Sequence, residues 1–184
     1  MVRSKARRVQ VVPHDPAWVA IASQESARLQ VILGEILIRI EHIGSTSVPG
    51  LAAKPIIDLM PLVTDINDVE RFRGQLESAG YNWYGEYGLP GRRYLNRDDA
   101  TGLVRIANIH IYAERDPEVV RHLAFRDHLR AQPALAAEYG RIKMACAALH
   151  PNDVDAYNDC KNDWIKATEQ AAVDRYESGV SPSG

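Results

Sequence analysis

The residues with the most chemistry lie between positions 42 and 58, in the run His42-Ile43-Gly44-Ser45-Thr46-Ser47-Val48-Pro49-Gly50-Leu51-Ala52-Ala53-Lys54-Pro55-Ile56-Ile57-Asp58. The pattern reads as a strand, a Gly-Ser turn, a short turn-rich segment and a second strand carrying a carboxylate. Glycine lets a backbone approach an anion closely. The N–H groups of Gly44, Ser45 and Thr46, with two hydroxyls, can hold a phosphate, and Lys54 can add a point charge. Asp58 is the residue expected to ligate a divalent cation bridging to phosphate oxygens. A tight turn followed by a strand-end aspartate is the plain alternative.

Other candidates follow from residue type and neighbourhood. Glu41 reads either as a partly buried strand residue or as an acid beside the cleft, able to act as base or ligand. His42 reads as a core histidine or, with Glu41, as the acid/base of a different reaction in the same cleft. His110 shares a strand face with Asn108 and Tyr112, a polar trio that needs partners or a ligand. Arg92 and Arg93 follow a glycine-rich loop and are expected to clamp an anion or to be solvated hairpin charges. Lys143, Tyr157 and Lys161 sit on helical stripes that are otherwise apolar, which points them into a cleft or out to solvent by snorkelling. Arg126, Asp127 and Arg130 read as an ion-pair cluster or a phosphate contact.

The elements that must position these groups are legible in outline. Asp15-Pro16 opens a first helix that ends at Gly34, and residues 36–43 alternate as a strand. Residues 56–60 form a second strand, which Pro61 is expected to end, bulge or confine to an edge. Asn67 and Glu70 resemble a capping box for a helix stopping at Gly80. Residues 81–87 read as strand, and 92–96 with 103–113 as an antiparallel hairpin. Three helices follow, starting near Pro117, Pro133 and a cap at Asn152 or Asp153. Strands early and helices late make an α+β chain, with a small mixed sheet, helices on one face and a C-terminal helical lobe closing one side of the cleft. The division expected is a basic flexible tail over 1–9, one domain over 10–177 and a disordered tail over 178–184.

Composition bounds the partners. The 184 residues carry 22 basic and 24 acidic side chains, a formal charge of -2, so a nucleic-acid-coating protein is not expected. Cys146 and Cys160 lack metal-ligand spacing and read as packed helix residues. The basic start leads into no apolar core, and no run is long enough to span a bilayer, so the expectation is a cytoplasmic chain with no membrane partner.

The 42–58 run resembles the signature of the GrpB family, a bacterial family similar to the nucleotidyltransferases. Val12-Pro13-His14-Asp15-Pro16-Ala17-Trp18, Phe125-Arg126-Asp127-His128-Leu129-Arg130, Pro133 through Tyr139 with Lys143, and Tyr157 with Lys161 resemble further motifs of it, over about residues 10–172. A similar domain is appended to some bacterial dephospho-coenzyme-A kinases. The resemblance implies a nucleotidyltransferase-like sheet, a nucleoside triphosphate with one Mg²⁺ ion, and transfer of a nucleotidyl group to an unidentified acceptor. On it, Asp58, Glu41 and His110 would be catalytic, Asp58 would hold the metal, and Gly44, Ser45, Thr46, Lys54, Arg92, Arg93, Lys143, Tyr157 and Lys161 would bind the nucleotide. Nucleotidyltransferases carry a second carboxylate two residues after the first, on the same strand face. Met60 stands there, and His110 stands where a third acid is expected, so a non-catalytic anion-binding module is the alternative.

Overall fold

Ile57, Leu59 and Val63 face one side of a strand, and Asp58, Met60 and Leu62 face the other. That parity separates the two apolar layers of the protein and leaves Asp58 at the end of the second. The computed structural model describes residues 8–179. In chain order it contains α1 (Ala17–Leu33), β1 (Leu37–Ile43), β2 (Ile57–Val63), α2 (Arg73–Ser78), β3 (Tyr81–Trp83), β4 (Arg93–Asp98), β5 (Arg105–Ala113), α3 (Pro117–Ala131), α4 (Pro133–Leu149) and α5 (Val154–Glu177).

The sheet order is β1-β2-β5-β4-β3, with β2 and β5 parallel and every other pair antiparallel. One face is covered by α1 and by the segment 66–78, through Trp18, Leu29, Leu33, Phe72 and Leu76. The opposite face meets α3, where Val119 and Leu123 pack on Ile43, Met60, Leu62 and Tyr112. The helices α4 and α5 lie beyond α3, and Tyr139 packs with Val48 and Leu51 of the turn-rich segment. The helical lobe therefore sits against the end of the sheet that carries the Gly-Ser turn.

Local differences from the sequence reading have physical causes. β2 runs through Pro61 as a central strand. The β5 ladder lapses between Leu59 and Leu62, so the missing proline N–H falls where no partner is required. Residues 66–72 wind as a 3-10 turn capped by Asp65, whose carboxylate accepts the Asn67 N–H at 2.9 Å, in place of a helix capped by Asn67. The aromatic segment stays strand-like only to Trp83. Leu149, which helical spacing from Tyr139, Ile142 and Cys146 places on the inward stripe of its helix, is 71% exposed. Cys146 and Cys160 are joined as a disulfide between α4 and α5, where two separately packed thiols were expected. Such a bond persists only in oxidising surroundings.

The two expected tails fall largely outside the described residues. Val9, inside the expected N-terminal tail, is buried, and its N–H donates to the Pro151 carbonyl at 2.8 Å. No helix among the described residues is long and apolar enough to cross a membrane.

Candidate functional site

Gly44 ends β1 with φ of +70°, which a residue bearing a side chain rarely adopts. A methyl group there would lie 2.6 Å from Asp58 Oδ2, so glycine is required on two counts. The close approach brings the 45–47 turn directly over the Asp58 carboxylate. The Asn108 amide donates to Asp58 Oδ1 at 2.9 Å, and His110 Nε2 lies 3.7 Å from the same oxygen. The parallel register, Asp58 beside Asn108, sets both contacts. Burial pushes the Asp58 carboxyl up, but His110, the Asn108 amide and the Lys54 ammonium together outweigh it and hold it below the usual carboxylate range.

Three lysines face this carboxylate. Lys54 Nζ lies 5.3 Å and Lys161 Nζ 5.1 Å from the centre of the Tyr157 ring. Lys143 Nζ lies 4.4 Å from the centre of the Tyr139 ring, is buried, and has no hydrogen-bond partner among the described residues. Burial, with Lys161 and Lys54 as like-charged neighbours, pushes Lys143 down to about 7, and Asp58 opposes the shift. Burial and Lys54 push Lys161 down to about 8, against Asp58 and Glu169. Burial lowers Lys54 as well. Tyr157 is pushed up to about 12 by burial, so both tyrosine rings stay neutral beneath the cations. The cluster thus gathers ammonium groups that depress one another, one of them without a hydrogen-bond acceptor among the described residues.

The remaining candidates divide. Tyr94 and His110 are cross-strand partners on the Asp58 side, their rings 5.3 Å apart. Arg92 stays on that side, but its guanidinium donates to the carbonyls of Glu86 and Tyr87 and lies 5.0 Å from the Tyr94 ring centre. Arg93 pairs with Ile111, so it faces the other side of the sheet, and donates to Glu70 at 2.6 Å. The structure thus does not bring Arg93 to the lysines. The Glu41 carboxylate is taken by Arg126 at 2.8 Å and Arg39 at 3.1 Å. His42 is 3.0 Å from the Thr46 hydroxyl and, by burial and the nearby Arg130 and Arg126, is pushed down to about 4. Thr46 is buried on His42 and the Ile56 carbonyl, so its hydroxyl holds the turn, while Ser45 is partly open beside Tyr139. Arg126 and Arg130 donate to the carbonyls of His42 and Ser47 and so clamp the turn to α3.

Asn108, Tyr94, Tyr139 and His122 belong to the site although sequence reasoning did not assign them to it. Asn108 was legible as the strand neighbour of His110. Tyr94 depends on the β4–β5 register, and Tyr139 and His122 on the packing of the helices, where His122 of α3 comes within 5.8 Å of the His110 ring and burial pushes it down to about 3.

The donors do not fit a resident two-metal centre. Asp58 is a single carboxylate with one oxygen already accepting an amide, and Met60, on the same face, is fully buried in the apolar layer under α3. Among the described residues no group of three His, Cys, Asp or Glu side chains gathers as a metal site.

Residues 8–171 match the profile of the GrpB protein family. UPF0157 protein YqkA of Bacillus subtilis (strain 168) is 40% identical over 173 residues, which is 94% of this chain and 49% of that protein, so this chain spans about half its length. The crystal structure of conserved protein GrpB from Enterococcus faecalis is similar with a TM-score of 0.86 and 43% identity, over 91% of this chain and 99% of that one. A crystal structure of the Cid1 poly(U) polymerase is similar with a TM-score of 0.56 and 10% identity, over 82% of this chain and 49% of that one. At that identity the likeness is one of fold, and the fold is nucleotidyltransferase-like.

Proposed function

The chain belongs to the GrpB family, and on that premise we propose that it binds a nucleoside triphosphate as its Mg²⁺ complex and transfers the nucleotidyl group to a small-molecule or protein acceptor. The observation that carries the reading is Lys143, buried with no hydrogen-bond acceptor among the described residues, set among Lys54 and Lys161 and facing Asp58. Three cations with one hydroxyl, Ser45, suit the β and γ phosphates of a triphosphate. The Cid1 structure holds Mg 3'-dATP on a similar fold, which supports a nucleotide as the class of ligand.

In this reading the acceptor oxygen attacks the α phosphorus, the bond from that phosphorus to the bridging oxygen breaks, and pyrophosphate leaves against the lysines. The acceptor proton passes to the Asp58–His110 pair, whose facing atoms are 3.7 Å apart. The Mg²⁺ ion comes with the nucleotide, and Asp58 is the carboxylate that would touch it.

A second reading is favoured by Met60. With that position fully buried and apolar, the protein is a nucleotide- or anion-binding module without transfer chemistry. One experiment addresses both. Calorimetric titration with nucleoside triphosphates and tripolyphosphate, with and without Mg²⁺, tests binding, and pyrophosphate release from the bound nucleotide tests transfer. Binding without pyrophosphate release across a broad acceptor panel supports the module. No binding by the parent, or unchanged binding in Lys143→Met and Lys161→Met, rejects both.

A further inference from the structure

Beside His110 lies a set of aromatic rings that phosphate binding does not use. Tyr94 on β4 stands next to His110, and its hydroxyl donates to Asn108 Oδ1 at 3.0 Å, while the Asn108 amide donates to Asp58. Tyr87 stacks on Tyr94 with ring centres 5.0 Å apart and planes 19° apart. Tyr84 closes the group at 5.4 Å from Tyr87 and 5.7 Å from Tyr94. The outermost ring is open, since Tyr87 is 64% exposed.

The backbone holds that ring at a cost. Tyr87 has φ of 47° and is the only non-glycine with positive φ among the described residues. Strain of this kind persists only where the surroundings impose it. Here they do so closely. Arg92 donates to the Tyr87 and Glu86 carbonyls, Glu86 accepts the Gly91 N–H at 2.9 Å, and the Tyr94 N–H donates to the Gly85 carbonyl at 2.7 Å. The residue that braces the loop, Arg92, is itself buried.

We propose that the Tyr87 ring, stacked on Tyr94 and braced by Arg92, is a stacking platform for a planar nucleobase brought to the Asp58 centre. The proposal rests on the triphosphate reading for the position of the phosphates, and it adds the recognition element for the rest of the ligand. The base belongs either to the bound triphosphate or to a nucleoside-bearing acceptor. Stacking accepts every base, because each has a π face, so discrimination among bases is weak.

The test uses the whole chain and two variants. Tyr87→Gly removes the ring while glycine adopts the same backbone without strain, and Tyr87→Phe keeps the ring. Each is titrated with tripolyphosphate, with the four common ribonucleoside triphosphates, and with the four ribonucleosides at saturating tripolyphosphate. The expected result is a roughly tenfold or greater loss of base-bearing ligand in Tyr87→Gly, unchanged tripolyphosphate binding, and parent behaviour in Tyr87→Phe. Loss confined to the triphosphates assigns the base to the nucleotide. Loss with the free nucleosides assigns it to the acceptor. Parent-like binding of every base-bearing ligand by Tyr87→Gly overturns the platform, as does failure of the parent to bind any of them. Failure of tripolyphosphate alone, with Tyr87-dependent nucleoside binding retained, overturns the phosphate reading and leaves the platform standing.

Discussion

Gly44 and Asp58 are so close that a side-chain carbon on the glycine would stand 2.6 Å from a carboxylate oxygen of the aspartate. The Gly-Ser turn and the carboxylate are thereby one unit, formed where β1 ends and β2 begins. Gly44→Ala must move either the turn or Asp58, and it must also hold alanine at φ of +70°. The expected loss is about 2–4 kcal/mol of stability, from strain and overpacking together. Chemical denaturation measures it. Nucleotide-induced stabilisation should vanish in the same variant, and an unperturbed midpoint with full ligand response would falsify the coupling.

Lys143 sets a pH dependence of stability with a definite sign. Its folded value is about 7 against 10.5 for the free side chain. Between those values the unfolded chain binds the proton and the folded chain does not. The Lys143 contribution therefore makes the ligand-free protein more stable as pH rises from about 7 towards 10.5, and its penalty is complete below about 7. Lys143→Met should raise the ligand-free Tm at pH 7 by roughly 3–10 °C, equivalent to about 1–3 kcal/mol, and should flatten this part of the pH profile. A lower Tm in the variant contradicts the burial of an uncompensated charge.

Anion affinity should run the other way with pH. Lys143 and Lys161 gain their charges as pH falls through about 7 and about 8. Tripolyphosphate binding is expected to weaken by about tenfold or more from pH 7 to pH 9, although the ligand itself gains negative charge over this range. Lys161→Met should bind more weakly at pH 7 and lose part of this dependence. Affinity that is flat over this range removes the lysines from the site.

Asp58→Asn separates the metal from the phosphates. The amide keeps the size of the side chain and its contact with Asn108 is rearranged, while the lysines are untouched. Tripolyphosphate binding without Mg²⁺ should be retained or strengthened, because one negative charge has been removed. The added effect of Mg²⁺ on nucleotide binding should disappear. A titration of the parent that finds two tight Mg²⁺ ions contradicts a site with a single carboxylate.

The Cys146–Cys160 bond closes a loop with a sequence separation of 14 between the helices that carry Lys143 and Lys161. Loop-closure entropy for a ring of this size corresponds to about 3 kcal/mol. Cys146→Ala with Cys160→Ala, compared with the parent under non-reducing conditions, should lower Tm and increase hydrogen exchange at the start of α5. Equal melting of the two proteins shows that the helix packing alone holds the lobe.

Much of this protein is determined locally. The Gly-Ser turn needs glycine for its backbone, the strand parity puts Ile57 and Leu59 opposite Asp58 and Met60, and Asp116 and Asp153 cap the helices they precede. These follow from residue type and period, so they are readable from one sequence. The shared face of Asn108, His110 and Tyr112 is readable for the same reason, as is the helical spacing that puts Lys143 and Tyr139 together. Other features depend on elements far apart in the chain. Only the parallel β2–β5 pairing brings Asn108 and His110 to Asp58, and only the lapse in that ladder lets Pro61 lie inside the sheet. Arg93 looks suited to clamping an anion and Glu41 to acid/base chemistry, yet strand register turns one to the far face and Arg126 of α3 occupies the other. Lys143 reads equally well as a snorkelling surface charge until α4 and α5 pack against the 45–54 segment and exclude its hydrogen-bond acceptors. Burial is a property of the assembled layers, and it is burial that pulls the three lysines below the usual lysine range, the feature on which the proposed anion site rests.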